Sequence, residues 1–373
     1  MRAGDVAVYI DPFSRRNEQD GLFDPTRFPD TGDNAFEPFI HMRRWLRERG
    51  VEVHTADLLD ASSRNGRAVS VFLSFGMRSR YKRLAQQPNV LLSGFFAFEC
   101  PIVLPTLYAD LHNIGSSFKR VFSFTTEDAV RPFLRGPVEF TRFMLPQSFD
   151  DVHQSVWERR ERKFLVMVTG NKKTRIKTNE LYTERLRAIE FFNRYGEIDL
   201  YGREWDAPPA RMASGKPRVV QHAERRIGKW WHSVRPSRDQ LWVAVRETNR
   251  GPTQDKAETL GGYTFAVCFE NMILEGWITE KIFDCFYAGT VPIYLGATDI
   301  ERWVPSECFI DMRTFSGYEE LREFLHSLTP DQIEAYRVAA RDFIRSERFR
   351  PFSKQTFAEL IGRIVEEDTG VSL

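Results

Sequence analysis

The sequence predicts an α/β protein with two domains of ordinary size. Apolar runs alternate with helical stretches through most of the chain, an order that is typical of parallel sheets. A charged stretch at 150–163, which ends in ERRERK, has no core pattern and separates two such series. A chain of 373 residues is also too long for one small core. We therefore predict domains at 1–155 and 156–350, and a C-terminal helix within 351–373 that packs back on the body.

The first series contains five predicted strands and two predicted helices. The helix at Ala35–Arg49 is expected to end at Gly50, because glycine is the usual residue just after a helix. A shorter helix is predicted at Leu107–His112. The strands are predicted at Val6–Ile10, Val51–Thr55, Val69–Phe75, Val90–Phe98 and Arg120–Phe124.

The second series repeats the pattern around four predicted strands, which are Phe164–Thr169, Ile198–Tyr201, Phe265–Phe269 and Val291–Leu295. Helices are predicted at Leu181–Asn193 and Glu280–Ala288. A last helix is expected after Ser353, because serine caps helices well. The stretch Arg203–Gly261 is polar and is predicted to be partly helical, and the sequence does not place it further.

The composition argues against several classes of protein. The formal net charge is +1, whereas nucleic-acid-binding domains usually carry a large basic excess, so no nucleic-acid partner is expected. There is no apolar run of about 18 residues, so no integral membrane segment is expected. The N-terminus lacks the pattern of a signal peptide. The four cysteines form no C-x-x-C pair and lie in apolar surroundings, which favours buried reduced thiols. Neither a D-x-D motif nor a histidine pair is present, so no metal is expected.

The segment Phe265–Gly296 carries the most informative chemistry. Glu270 and Asn271 follow a predicted strand directly, and ligands of parallel sheets bind beyond the carboxyl ends of the strands. A turn with an asparagine cap is an equal alternative at this point. Thr279 is predicted to cap the next helix, which places Lys281 in the first turn. A helix N-terminus disfavours a cation and favours an anion, so this lysine suggests a phosphate site, although it could also point to solvent.

Other side chains near this segment have two readings each. Glu280 either starts the helix or accepts hydrogen bonds from sugar hydroxyls. Trp277 either stacks on a nucleobase or packs on the helix start. Arg185 can reach a pyrophosphate from the neighbouring helix. Three nearby bases compete with it for this role, Lys172, Lys173 and Arg187. For any one of these bases, a solvated surface charge is the default interpretation.

The spacing of these residues resembles a known family. FEN at 269–271 is followed by five residues, an aromatic residue, ITEK at 278–281 and AGTVPIYLG at 288–296. This pattern resembles the signature of the α-1,3/1,4-fucosyltransferases, glycosyltransferase family 10. Because the sequence shows no apolar membrane anchor, a bacterial-type member of that family is expected. Trp277 stands where that family usually has a tyrosine, so the aromatic face is kept and the phenol is lost. The resemblance also covers LYGREWD and ATDIERWVPSECFIDM, and it is weak in the N-terminal half.

The resemblance implies a GT-B fold, in which two Rossmann-like domains face a cleft. It implies that the C-terminal domain binds GDP-β-L-fucose and that the N-terminal domain binds a sugar acceptor. Lys281 and Arg185 would hold the pyrophosphate, and Glu280 would bind donor hydroxyls. The donor-binding residues predicted in this way are Arg185, Asn271, Trp277, Thr279, Glu280 and Lys281.

The resemblance also implies a catalytic base. Glu99, in FFAFECPIV, follows a buried apolar strand, where the family has a glutamate. It would take the proton of an acceptor hydroxyl while the anomeric centre inverts, giving an α-1,3 or α-1,4 fucoside on a GlcNAc- or glucose-type sugar. The alternative is a strand-end acid that binds a backbone amide.

Three other functions stay open at this point. They are a GT-B transferase that uses another GDP-sugar, a sugar-nucleotide-binding protein without catalysis, and a Rossmann-type dehydrogenase, which the absence of G-x-G-x-x-G disfavours. The expected location is the cytoplasm, with a peripheral position at the inner membrane surface as an option and a role in building surface glycans. Acceptor choice is expected in the loops Phe13–Asn34 and Pro101–Leu107, and a homodimer is one option for the oligomeric state.

Overall fold

The computed structural model describes residues 2–27, 35–59, 69–76, 80–207, 210–211, 218–234 and 239–373. It divides into two compact units. Unit 1 consists of Met1–Pro101, Pro105–Asp150 and Phe349–Leu373, and unit 2 of Ile102–Leu104 and Asp151–Arg348.

Unit 1 is built on a parallel six-stranded sheet with the strand order β2-β1-β3-β4-β5-β6. Its strands are β1 (Val6–Asp11), β2 (Glu52–Thr55), β3 (Val69–Ser74), β4 (Val90–Ala97), β5 (Arg120–Ser123) and β6 (Glu139–Arg142). Its helices are α1 (Glu37–Arg47), α2 (Tyr81–Leu84), α3 (Pro105–Gly115), α4 (Glu127–Val130) and α13 (Lys354–Thr369).

A row of phenylalanine rings forms part of the core of unit 1. Phe96 on β4 stacks between Phe75 and Phe122, with centroid distances of 4.3 Å on both sides. The terminal helix α13 packs on α1, where Phe357 meets Phe39 edge to face and Gly362 leaves room for Trp45. The last turn of the chain is thus part of the unit that contains its first strand.

Unit 2 has a parallel five-stranded sheet with the order β13-β12-β11-β7-β9. Its strands are β7 (Lys163–Val168), β9 (Ile198–Tyr201), β11 (Tyr263–Phe269), β12 (Val291–Leu295) and β13 (Ile310–Asp311), and a separate pair joins β8 (Lys172–Lys173) to β10 (Ala210–Arg211). Its helices are α5 (Gln154–Trp157), α6 (Tyr182–Asn193), α7 (Arg218–Val234), α8 (Gln240–Thr248), α9 (Lys256–Leu260), α10 (Glu280–Ala288), α11 (Tyr318–Ser327) and α12 (Pro330–Ile344).

The strands and helices predicted from the sequence are present, with shifts of a few residues at several ends. The helix α10 and the strand β12 have the predicted bounds. The stretch Arg203–Gly261 contains helices α7, α8 and α9, which agrees with its predicted partial helicity. Strands β6, β8 and β13 and helices α2, α4, α5, α11 and α12 were not predicted. Helix α5 lies in the charged stretch that was expected to be a connection. Part of the predicted acceptor loop Phe13–Asn34 lies outside the described residues.

Candidate functional site

The sheet of unit 2 has its topological switch point between β7 and β11. The chain first makes β7, places β9 on one side of it and β11 on the other. In open parallel sheets the connections on the two sides of such a point run in opposite directions, which opens a crevice at the carboxyl ends of the strands. The residues that follow these two strand ends, Thr169 and Glu270, therefore occupy the position where a ligand is expected.

Glu270 is the centre of a compact hydrogen-bond cluster. Its side chain is fully buried. Oε1 accepts from the backbone N–H and the hydroxyl of Thr279, both at 2.8 Å, and Oε2 accepts from the same hydroxyl at 2.9 Å. Oε2 also accepts from Lys281 Nζ at 2.9 Å. A buried carboxylate requires such partners, because an unpaired charge in the interior is very costly.

The space for Glu270 depends on a glycine of the next strand end. A Cβ atom at Gly296 would lie 2.5 Å from Glu270 Cγ and 2.7 Å from the Tyr294 hydroxyl. Both contacts are closer than real Cβ atoms allow, so a larger residue would displace the carboxylate. The glycine that ends the sequence AGTVPIYLG thus has a direct structural role in the site.

Helix α10 begins at this cluster. Thr279 is its N-cap residue, as predicted, and Gly289 ends it with a positive φ of 67°, a conformation that glycine adopts freely. The Thr279 hydroxyl donates to Glu270 and makes no capping bond to the helix. The backbone N–H groups of the first turn are therefore not bonded by the N-cap side chain. A helix N-terminus in this state can receive an anion.

Lys281 lies within the cluster and not in solvent. Its Nζ is 2.9 Å from Glu270 Oε2, 2.8 Å from the Thr279 hydroxyl and 3.5 Å from Glu280 Oε1, and its side chain is 24% exposed. Burial alone would lower the pKa of Lys281, but the Glu270 and Glu280 carboxylates raise it above its ordinary value. The lysine therefore stays charged, and one side of it remains accessible.

Glu280 is the more accessible acid of the site, with 46% of its side chain exposed. Burial of its surroundings raises its pKa, but the charges of Lys281 and Lys256 outweigh that effect and lower the pKa to about 2. The carboxylate is thus ionised over the whole physiological range, so both of its oxygens can accept hydrogen bonds from hydroxyl groups.

Arg185 on α6 is buried and directed at the strand end. Its Nη2 donates to the carbonyls of Phe269 and Glu270 at 2.6 and 2.7 Å and to Asn271 Oδ1 at 3.2 Å. Its Nη1 donates to the hydroxyl of Thr169 at 3.2 Å. Burial lowers the pKa of this guanidinium. Arg185 thus joins the ends of β7 and β11 across the switch point.

The remaining donor-site predictions lie around the same strand end. Asn271 is half-buried and accepts from Arg185, and its carbonyl accepts from the backbone N–H of Leu181. Trp277 is only 1% exposed, so the structure describes it as packed inside unit 2. Its role in lining a nucleotide site stays a prediction.

The three competing bases are surface residues. Arg187 is exposed and pairs with Glu184 at 2.9 Å, and both Lys172 and Lys173 are exposed on β8. These three side chains are therefore solvated surface charges. Arg185 differs from all of them, because it is buried at the strand end.

The predicted base, Glu99, belongs to unit 1. It lies two residues after β4, on a bend, and is half-buried. Its backbone carbonyl accepts from the Tyr108 hydroxyl at 3.0 Å, which fixes the backbone at this point. Glu99 therefore lies at the carboxyl edge of its own parallel sheet, the edge at which ligands of such sheets bind.

The sequence indicated Glu270 only as a strand-end candidate, and it did not identify this residue as the centre of the site. Its signal was present: an acid that directly follows a buried apolar strand and precedes a threonine-capped helix. The sequence could not show that the loop between them returns to the same carboxylate.

Among the described residues no group of three or more His, Cys, Asp or Glu side chains is arranged to hold a metal ion. All four cysteines are buried and carry free thiols, as expected. In the part of the chain that the structure describes, no helix combines the length and apolar character needed to cross a membrane.

Sequence comparisons identify the segment that carries this site. Residues 240–339 match the family model described as glycosyltransferase family 10 (fucosyltransferase), C-terminal part. An α-(1,3)-fucosyltransferase of Helicobacter pylori is 32% identical over 85 residues, 23% of this chain and 18% of that protein. GDP-fucose protein O-fucosyltransferase 3 of Xenopus laevis is 39% identical over 70 residues, 18% of this chain and 15% of that protein. The matched segment thus spans less than a fifth of either relative.

A solved structure supports the fold over nearly the whole chain. An α-glucosyltransferase in complex with UDP-glucose and DNA containing an abasic site matches with a TM-score of 0.53 at 11% identity, over 96% of this chain and 99% of that one. The prediction of an α/β, GT-B fold with two Rossmann-like domains is confirmed. The family resemblance is confirmed over residues 240–339, which match the model of the C-terminal part of glycosyltransferase family 10.

Proposed function

We propose that this protein transfers L-fucose from GDP-β-L-fucose to a hydroxyl group of a GlcNAc- or glucose-type sugar, giving an α-1,3 or α-1,4 fucoside with inversion. The two relatives described above are named for different products, one for a 1,3-linkage and the other for a protein acceptor, but both are fucosyltransferases. Residues 240–339, which match the family model, contain all the predicted donor-site residues except Arg185. The donor is therefore the better-supported part of the proposal.

The observation that carries the proposal is the cluster at the start of α10. Lys281, held at 2.9 Å from a buried Glu270, presents a positive charge beside N–H groups of the first helical turn. The cluster lies at the switch point of the sheet, inside the segment that matches the family. A diphosphate is the kind of ligand that such a site binds.

The donor roles follow from this geometry. Lys281 and the helix N-terminus would contact the pyrophosphate, and Glu280 would accept hydrogen bonds from hydroxyl groups of the fucose or ribose. Arg185 has most of its donors directed at protein oxygens, so we assign it the task of positioning Glu270 and Asn271. Its charge would still stabilise a nearby anion, because the low dielectric constant of a buried site strengthens the attraction between opposite charges.

The chemical step needs a base and a stabilised leaving group. Glu99 would take the proton of the acceptor hydroxyl while the acceptor oxygen bonds to the anomeric carbon. The bond from that carbon to the GDP oxygen breaks, and its electron pair leaves with GDP. Lys281 and the α10 N-terminus would stabilise the charge that develops on the diphosphate, in the manner of a preorganised anion site. No metal has a part in this proposal.

The test is calorimetric binding of GDP and GDP-fucose to wild type and Lys281→Ala. Loss of one charge-assisted contact should weaken binding about ten- to hundredfold. Arg187→Ala, which removes an exposed base of α6, is the matched control and should bind normally. Equal affinity of wild type and Lys281→Ala would remove the phosphate role.

The acceptor and the linkage require a second measurement. GDP release is followed with GlcNAc-, LacNAc- and glucose-containing acceptors, and the products are analysed for linkage. A parallel series with GDP-mannose in place of GDP-fucose tests the donor. Turnover with GDP-mannose alone would replace this proposal by transfer of another GDP-sugar. The bacterial origin, the cytoplasmic location and a role in surface-glycan synthesis belong to the proposal and would lose support if no surface-glycan fragment were an acceptor.

A further inference from the structure

Helix α7 (Arg218–Val234) displays an apolar stripe on its outside. Four large apolar side chains are exposed, Val220 by 41%, Ile227 by 58%, Trp230 by 58% and Val234 by 56%. With Ala223, which is also exposed, they recur at intervals of three and four residues. This spacing places all five on one side of an α-helix. The helical rise makes the stripe about 21 Å long.

The helix is also locally basic in an almost neutral chain. Its sequence contains four bases, Arg218, Arg225, Arg226 and Lys229, and one acid, Glu224. The whole chain has a formal net charge of only +1. A helix that combines a continuous apolar stripe, a tryptophan and an excess of Arg and Lys has the composition of helices that lie in the interface of an anionic membrane.

The attachment of α7 leaves the stripe outward. Lys229 lies about 160° around the helix from Ile227 and about 140° from the middle of the stripe, because each residue advances about 100° around the axis. Its Nζ forms an ion pair with Asp206, which follows β9, at 2.9 Å. The helix is thus tied to unit 2 through its polar side, and the apolar side chains remain accessible.

We infer that α7 docks unit 2 on an anionic lipid surface, with Val220, Ile227, Trp230 and Val234 inserted at the headgroup boundary. A second copy of the chain is the less suitable occupant. The stripe extends over only about two heptads, whereas a coiled-coil seam needs about three or four. Two copies of a helix with excess positive charge would also repel each other, while anionic headgroups attract it. The inference does not depend on the sugar that the protein transfers.

The test is co-sedimentation of the full chain with vesicles. Phosphatidylcholine vesicles containing phosphatidylglycerol are compared with vesicles of phosphatidylcholine alone. We expect binding to the anionic vesicles that is stronger by about tenfold or more and that falls when salt is raised. Ile227→Glu combined with Trp230→Glu should reduce this binding by about tenfold or more, since both changes remove inserted apolar surface.

A matched control keeps the experiment decisive. Ile176→Glu introduces the same change at an exposed isoleucine outside α7 and should bind vesicles as wild type does. Circular dichroism verifies that each variant is folded. Absence of vesicle binding by wild type, or binding that the double substitution leaves intact, overturns the inference. A dimer in light scattering that the double substitution dissociates, without vesicle binding, would instead assign the stripe to self-association and would equally overturn it.

Discussion

Glu270 and Glu99 both follow a buried strand of a parallel sheet, yet their surroundings differ. Glu270 directly follows β11, is fully buried, and accepts from Thr279 and from Lys281. Glu99 lies two residues after β4, half-buried and on a bend. A carboxylate whose oxygens are occupied by its own chain organises a site, whereas a partly accessible one can exchange a proton with a ligand. Position at a strand end therefore does not by itself define a role, and the difference in burial separates the two residues.

The largest effect is expected from Glu99→Gln. The amide keeps the shape of the side chain but cannot take the acceptor's proton, so turnover should fall by about 10²–10⁴-fold. The affinity for GDP-fucose, measured by calorimetry, should be unchanged, because unit 2 carries the donor residues. Glu127→Gln, an exposed acid of the same unit, serves as the control and should keep wild-type turnover. Normal turnover of Glu99→Gln would show that Glu99 is not the catalytic base.

The second effect concerns stability and belongs to Glu270. Glu270→Gln removes the buried charge that faces Lys281, and breaking one half of a buried pair costs about 3–5 kcal/mol of unfolding free energy. Urea unfolding measures this loss. The control is Glu258→Gln, which breaks a surface pair with Arg159 and should cost less than about 1 kcal/mol. Equal losses in the two variants would mean that the buried cluster does not hold the strand end.

Local features of the site could be predicted from the sequence, whereas the surroundings of Glu270 could not. Helix α10 and strand β12 were predicted with their final bounds, because an apolar stripe and the glycine after it are local signals. The role of Glu270 depends on a loop that brings Thr279 back to it and on the space at Gly296. Both are tertiary features. They leave no periodic pattern in the sequence.

Two further differences have similar causes. Arg185 was predicted to reach a ligand, and in the structure its Nη2 donates to the carbonyls at the end of β11. A diphosphate and a strand end both offer oxygen acceptors, and the spacing of residues in the sequence does not show which of them the guanidinium meets. Strand β6 was not predicted because it is short and its residues are half-buried or exposed, so it lacks a buried apolar run.

Arg185→Lys should have an intermediate effect. A lysine ammonium cannot reproduce the fork that reaches two carbonyls and Asn271, so buried acceptors would be left without donors. We expect a loss of about 1–3 kcal/mol in unfolding free energy, together with weaker GDP binding through displacement of the strand end. Arg187→Lys, at the exposed position on the same helix, should change neither quantity. Weaker GDP binding with full stability would instead indicate a direct contact of Arg185 with the diphosphate.

The smallest effect is the pH dependence that Glu280 contributes. Its pKa is lowered from 4.5 to about 2, so the ionised form is favoured by folding. The stabilisation is therefore fully present above about pH 4.5 and is lost as the pH falls towards 2. Because the side chain is 46% exposed, solvent screening limits it to less than about 1 kcal/mol. Urea unfolding of wild type and Glu280→Gln at pH 7 and pH 3 should show a small difference that shrinks at the lower pH. A difference that grows at pH 3 would contradict the assignment of Glu280 as the ionised, accessible acid beside Lys281.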